Sequence, residues 1–395
     1  MHVLLAQLVC STTNNNCNYN MNIAIIENHL ISTNTVRRKL TQTLMDVGHN
    51  VTVLSTGTEA DKAFSALLGF KVIDVGTSNT NPAEVLGYIK KIRAALKTVD
   101  AQLCLTFTMR PAIWGNMVSR LLGIPVITNI TGIGPLAHSN SMAYRVARKL
   151  YRTALSKTKV VFFQNIDDRK IFEQKKFVRK SQAEIIPGSG VDVDHFLPQP
   201  HQNSNGDFVF LFISRLIKDK GILEYVSAAT ELKKRYPHVK CQVIGPYYNQ
   251  NLKDNIISEN QIQGWHNEGS LEYLGAANDV RPFIAAADCI VLPSYREGMS
   301  NVLLEAASME KPAIAANVTG CKEIIEAGKT GFLCKVKDAG DLLHFMEKML
   351  HLSPEERAEM GVAARERVKT YFDKRIVIAA YVRHINVLSA AISAQ

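Results

Sequence analysis

From Met21 onward, short apolar runs alternate with longer stretches in which apolar residues recur every three or four positions. The runs Ile23–Ile26, Asn50–Leu54, Phe70–Val75, Ala101–Thr106, Pro125–Asn129 and Val160–Gln164 predict strands: they are short, apolar and bounded by turn residues. Between them, Val36–Val47 and Ala83–Lys97 predict helices, the first stopped by Gly48. Strand and helix in regular alternation predict an open parallel sheet covered on both faces.

The rhythm breaks at Pro187-Gly-Ser-Gly-Val-Asp-Val-Asp-His-Phe196, followed by Pro198, Pro200 and the polar run His201–Asp207, which read as a turn-rich linker. It then restarts. Phe208–Ser214, Val239–Gly245, Leu271–Leu274, Cys289–Leu292 and Ala313–Ala315 predict strands, and Ile222–Tyr236, Val280–Ala286 and Asn301–Met309 predict helices. Pro354–Thr370 predicts a helix capped by Ser353 with Glu356 three residues on, and the apolar stretch Phe372–Ala394 continues it.

The expected fold is therefore α/β, two Rossmann-like doubly wound domains facing each other across a cleft. They span residues 21–195 and 208–371, with a linker at 196–207 and a C-terminal helix, 372–395, packing back on the first domain. Ligands of such sheets bind beyond the carboxyl ends of the strands. Residues 1–20 read as a disordered extension. His2–Cys10 is apolar and Ser11–Asn20 is rich in Asn and Thr, without the basic start or the small-residue cleavage site of a signal peptide.

Composition narrows the function classes. A chain of 395 residues suits two cores better than one. The seven cysteines include no Cys-x-x-Cys and no Cys/His cluster at zinc spacing, which points to a reduced, cytoplasmic setting. No run reaches the roughly 18 apolar residues of a membrane-spanning helix. The net charge of +10 favours an anionic partner: a phosphorylated substrate, an anionic membrane face or nucleic acid. Arg145, Arg148, Lys149 and Arg152 recur at helical spacing, with Tyr144, Leu150, Tyr151 and Leu155 as apolar area, so this stretch reads as a basic amphipathic helix for an anionic membrane. The basic residues are not interleaved with stacking aromatics, which argues against nucleic acid.

Two segments carry chemistry. In Phe212-Ile-Ser-Arg-Leu-Ile-Lys-Asp-Lys-Gly221 a strand runs into a loop holding Arg215 and Lys220, and Gly221 opens a helix. Two cations beside a helix start suit a diphosphate. In Pro293-Ser-Tyr-Arg-Glu-Gly-Met-Ser-Asn-Val-Leu-Leu-Glu305 a strand again runs into a turn and a helix, with the N–H groups of Gly298, Met299, Ser300 and Asn301 expected to face an anion. Glu297 falls in the turn and Glu305 on the helix. A carboxylate accepts two hydrogen bonds from a vicinal diol. Acid/base pairs of glycosidases flank one bond at about 5–9.5 Å; the spacing here suits two separate sugars better.

Arg215 and Lys220 together with Glu297-x7-Glu305 resemble the retaining family-4 glycosyltransferases of GT-B fold, and the resemblance runs over about residues 21–390. Gly320-Cys-Lys-Glu323 and Gly328-Lys-Thr-Gly331 belong to the same likeness. Asn129-Ile-Thr-Gly-Ile-Gly134, Phe163-Gln-Asn-Ile-Asp-Asp168 and Gly188-Ser-Gly-Val-Asp192 resemble bacterial enzymes that extend polyprenyl-diphosphate-linked saccharides. The resemblance implies that Arg215 and Lys220 hold the donor diphosphate, Glu297 binds the donor hexose and Glu305 the ribose diol. It places Gly245 and Leu274 at the base, and Thr131 and Gly132 near the donor sugar. It implies a UDP-sugar donor, a saccharide or lipid-linked saccharide acceptor, no cofactor and no essential metal, at the inner face of the plasma membrane. The sequence departs from the family twice. Glu27-Asn-His-Leu-Ile-Ser-Thr-Asn34 stands where many relatives have a glycine-rich loop, and Thr131 stands where many have His, leaving His29 and His138 as nearby loop histidines. Two rival functions remain on the sequence alone: a UDP-sugar 2-epimerase of similar shape, and an inactive homologue acting as a binding protein.

Overall fold

The computed structural model describes residues 20–76, 81–132, 142–200, 206–247 and 255–393. His138 and residues 1–19 of the expected extension lie outside them. The chain divides into two compact units, one of Met1–Ser189 with Lys374–Gln395, the other Gly190–Asp373.

The first unit is built on a seven-stranded parallel sheet in the order β3-β2-β1-β4-β5-β6-β7. Its strands are β1 (Asn22–Ile26), β2 (Asn50–Ser55), β3 (Lys71–Asp74), β4 (Leu103–Phe107), β5 (Val126–Ile130), β6 (Val160–Phe163) and β7 (Ala183–Ile185). β4, β5 and β6 are buried along their whole length, because helices cover both faces of the sheet. The expected helix Val36–Val47 forms as Arg38–Asp46, and a short helix, Leu30–Asn34, precedes it without a counterpart in the sequence reading. β7 has no counterpart among the expected strands: it is three residues at the sheet edge, too short and too exposed to carry a periodic signal.

The helix Lys374–Ser393 belongs to the first unit. By length and apolar composition Lys374–Ile392 would suffice to cross a membrane, which the sequence reading did not anticipate. One face of it, Val377, Ile378, Tyr381, Val382 and Ile385, is buried with Ile23, Leu105 and Phe162 of the sheet.

The second unit carries a six-stranded parallel sheet in the order β10-β9-β8-β11-β12-β13. These strands are β8 (Phe208–Ile213), β9 (Val239–Ile244), β10 (Glu272–Tyr273), β11 (Cys289–Leu292), β12 (Ala313–Ala316) and β13 (Gly331–Cys334). All six side chains of β8 are buried, each large apolar one contributing roughly 1.5–3 kcal/mol. β13 has no counterpart among the expected strands, Gly328–Gly331 having been given only as part of the family likeness; Phe332 and Cys334 go into the core. The boundaries differ too. Val191 and Val193 sit in the core of the second unit, ahead of the expected linker 196–207, and Val191 bridges to Asp373. The predicted Ser353–Glu356 capping box forms, and its helix, Pro354–Tyr371, ends before a separate helix begins at Lys374.

Candidate functional site

In the second sheet the strand order reverses between β8 and β11. At such a switch point the loops leaving the two strands diverge and open a crevice at their carboxyl ends. Both segments singled out in the sequence leave the sheet there.

The loop after β8 runs through a 3-10 turn, Lys218–Lys220, into the helix Ile222–Arg235. Asn255 pins it: its Oδ1 accepts from the Asp219 N–H at 2.9 Å, and its Nδ2 donates to Asp219 Oδ2 at 2.8 Å. Gly221 ends the turn at φ +78°, and a Cβ there would lie 2.1 Å from the Pro293 carbonyl oxygen. Only glycine lets this loop lie against the one after β11.

The loop after β11 carries Glu297 to the same place. Lys220 Nζ donates to Glu297 Oε1 at 2.5 Å, and Ser294 Oγ donates to the same oxygen at 2.8 Å. The pair is largely buried, with side-chain exposures of 18% and 12%. Sequence reasoning assigned Lys220 and Glu297 to different parts of a ligand; the structure joins them. Lysine has three donors, so two N–H bonds of Lys220 remain for a ligand. Tyr295, between the two segments, donates from its backbone N–H to Asp219 O at 2.8 Å and from its hydroxyl to Glu224 Oε1 at 2.8 Å.

A third loop, after β12, completes the frame. The Glu297 N–H donates to Thr319 O at 3.1 Å and the Ser300 N–H to Gly320 O at 3.0 Å. The second bond corrects the expectation that the amides of Gly298–Asn301 are all open to an anion. Ser300 is the N-cap of the helix Asn301–Ser308, its hydroxyl accepting from Leu303, so its own N–H is spent on the third loop. Gly320 has φ +85°, and a Cβ there would sit 2.6 Å from Glu297 Cβ. Glu323 Oε2 accepts from the Gly320 N–H at 2.7 Å, while Oε1 is buried without a hydrogen-bond partner among the described residues. Cys321, fully buried behind this loop, has its thiol pushed well up by burial, with Glu297 adding to the effect and Lys220 opposing it. Ser294, Thr319 and Glu323 are the residues sequence reasoning left without a role. Glu323 lay within a recognised motif, but nothing local shows which amide it would hold.

The remaining expected residues are placed as follows. Arg215 is exposed at the start of the first loop, and Glu305 is half-buried on the helix Asn301–Ser308. Gly245 follows β9; its N–H donates to Gly275 O at 2.9 Å and its carbonyl accepts from the Tyr273 hydroxyl at 2.9 Å. Leu274 follows β10 and is 39% exposed. Thr131 and Gly132 follow β5 in the first unit, not in the loops gathered around Glu297. The basic helix forms as Met142–Leu155, but Tyr151 and Leu155 point into the core of the first unit, correcting the expectation that they offer apolar area to a membrane.

The chain is similar to known proteins over both units. Residues 194–367 match the family model of glycosyl transferases group 1, and residues 23–165 match the glycosyl transferase 4-like model. The chain is 30% identical over 179 residues to the capsular polysaccharide biosynthesis glycosyltransferase CapM of Staphylococcus aureus, a match that spans 45% of each chain. It is 23% identical over 337 residues to the N,N'-diacetylbacillosaminyl-diphospho-undecaprenol alpha-1,3-N-acetylgalactosaminyltransferase of Campylobacter jejuni, covering 80% of this chain and 85% of that one. Anabaena HepE, solved in complex with UDP and glucose, superposes with a TM-score of 0.77 at 19% identity, over 93% of this chain and 100% of that one. The two parallel-sheet units have the GT-B fold.

Proposed function

The chain belongs to the glycosyltransferases, its two halves matching the 4-like and group 1 families, and from that premise we propose that it is a retaining enzyme moving a hexose or N-acetylhexosamine from a UDP-sugar to a lipid-linked or growing saccharide acceptor. The observation that carries this reading is the Lys220–Glu297 pair where the strand order of the second sheet reverses, with Arg215 in the same loop as Lys220 and Glu305 on the helix that follows Glu297. UDP in the HepE complex and the diphospho-undecaprenol acceptor in the name of the Campylobacter enzyme support the choice of donor and acceptor.

In this reading Arg215 and Lys220 contact the donor diphosphate. The bond from the anomeric carbon to the diphosphate breaks with its electron pair on the departing oxygen, and the two cations stabilise that charge. The acceptor oxygen bonds to the anomeric carbon on the face the diphosphate leaves, and the acceptor proton passes to a diphosphate oxygen. Glu297, held by Lys220 and Ser294, accepts from hexose hydroxyls, Glu305 accepts from the ribose diol, and the segments at Gly245 and Leu274 flank the base. No metal ion is assigned a part, because two fixed cations supply the charge. Arg145, Lys149 and Arg152, exposed on the basic helix, suit an anionic lipid surface, and we place the enzyme at the inner face of the plasma membrane.

A thermal-shift series against UDP, GDP, ADP and their sugars tests the donor. UDP species should raise the Tm. Glu305→Ala should weaken that donor binding roughly 10-fold. Arg215→Ala should keep binding and lower turnover by roughly 10²–10³-fold. A response confined to GDP or ADP species would overturn the donor, and unchanged kinetics in both variants would overturn the site.

A further inference from the structure

Glu323 lies on the third loop of the second unit, and the transfer chemistry above gives it no part. Its Oε2 accepts from the Gly320 N–H at 2.7 Å. That N–H belongs to the peptide joining Thr319 to Gly320, whose carbonyl oxygen accepts from the Glu297 N–H at 3.1 Å. A trans peptide points its N–H and its C=O in opposite directions. Glu323 therefore grips one end of this peptide, and Glu297 hangs from the other. The next carbonyl, Gly320 O, takes the Ser300 N–H at 3.0 Å, so both ends of the segment 297–300 are seated on the same loop.

A grip on this peptide answers a specific weakness. Position 320 must be glycine, because a Cβ there would lie 2.6 Å from Glu297 Cβ and 2.8 Å from Glu297 O. Glycine adopts φ of either sign at little cost, so the Thr319–Gly320 peptide could turn over without strain at residue 320. Turned over, it would face the Glu297 N–H with another N–H and leave it without its acceptor. It would also aim Thr319 O at the Glu323 carboxylate, oxygen against oxygen. The carboxylate thus favours one orientation through a charge-assisted bond and opposes the other. Arg367, on the helix Pro354–Tyr371, anchors the chain at this point, Nη2 donating to Glu323 O and Nε to Ile324 O, each at 2.8 Å. Glu323 Oε1 is buried and has no hydrogen-bond partner among the described residues, so the carboxylate acts through the peptide rather than on a ligand.

We propose that Glu323 is a positioning residue: by holding the Thr319–Gly320 peptide in one orientation, it sets Glu297 against the donor hexose. The part assigned to Glu297 rests on the reading given above; the orientation of the peptide rests on these hydrogen bonds alone.

Amide exchange of the full chain, followed by NMR, reads the grip without any ligand. In Glu323→Ala the Gly320 and Glu297 amides should exchange roughly 10–100-fold faster relative to the Ile290 amide, which donates to Pro312 O within the same sheet. Glu323→Gln keeps an acceptor oxygen and should lose less. Glu323→Asp, one methylene short, should behave as Glu323→Ala and replaces it if that variant folds poorly. Unchanged exchange of both amides in the Ala and Asp variants would overturn the proposal. Donor affinity reads the consequence. UDP carries no hexose, so its Kd should change by less than about 2-fold in Glu323→Ala, while the tightest of UDP-glucose, UDP-galactose and their N-acetylated forms should lose roughly 10-fold. Equal losses for UDP and the UDP-sugar would also overturn it, because a merely loosened fold weakens both. Faster Gly320 and Glu297 exchange in a protein whose wild type binds none of these nucleotides would leave the grip on the peptide standing and overturn the donor reading.

Discussion

Lys220 and Glu297, 77 residues apart in the chain, are joined by a 2.5 Å hydrogen bond between Nζ and Oε1. Each comes from a loop leaving one of the two strands between which the second sheet reverses its order. The pair fixes the position of a cation and of a carboxylate at once, so neither residue can be removed without disturbing the other.

That coupling is measurable. Lys220→Met and Glu297→Gln should each lower kcat/KM by at least about 100-fold, since each removes a group from the proposed donor contacts. The double variant should be far less than additive. In Tm-derived stabilities the cycle should return a coupling of about 1–3 kcal/mol, as expected for residues in direct contact. Additive losses would mean that the two side chains act independently.

Gly320→Ala should be more harmful than its size suggests. The added Cβ would meet Glu297 Cβ at 2.6 Å, and the residue would have to hold φ +85°. A loss of about 1–3 kcal/mol in stability is expected, together with a rise in donor KM as Glu297 is displaced. Gly264→Ala, on a helix and with nothing within 4 Å of its Cβ, is the control and should change neither.

His49 gives the first unit a pH dependence of known sign. Burial holds its pKa below the ordinary 6.5, and its Nδ1 accepts from the Met21 N–H at 3.3 Å, which requires the neutral ring. The unfolded chain therefore binds the proton more readily than the folded one. The stability associated with His49 is complete above about pH 6.5 and is lost as the pH falls from there to the lowered folded value. Urea unfolding at pH 5.0 to 8.0 should show this slope in the wild type, and His49→Gln should flatten it.

The alternation of strands and helices was legible because burial on both faces makes each parallel strand a continuous apolar run. The strands before and after the linker fell close to their observed positions for that reason, as did the Ser353–Glu356 cap, whose partners lie three residues apart. The two loops holding Arg215, Lys220 and Glu297, and the helix start that carries Glu305, were also legible, since strand ends are where such sheets place ligands. β7 and β13 were not, one too short to show a period and the other hidden by its leading glycine, which reads as a turn.

The sequence by itself determined which segments become strands, which residues face inward and which loops carry charge, because side-chain periodicity and capping are local. Tertiary structure decided what those loops do to each other. Strand order is a non-local choice, and it brought Lys220 onto Glu297 and spent the Ser300 amide on Gly320. It also turned Tyr151 and Leu155 of the basic helix into the core, since a helix pattern names an apolar face without saying what will cover it.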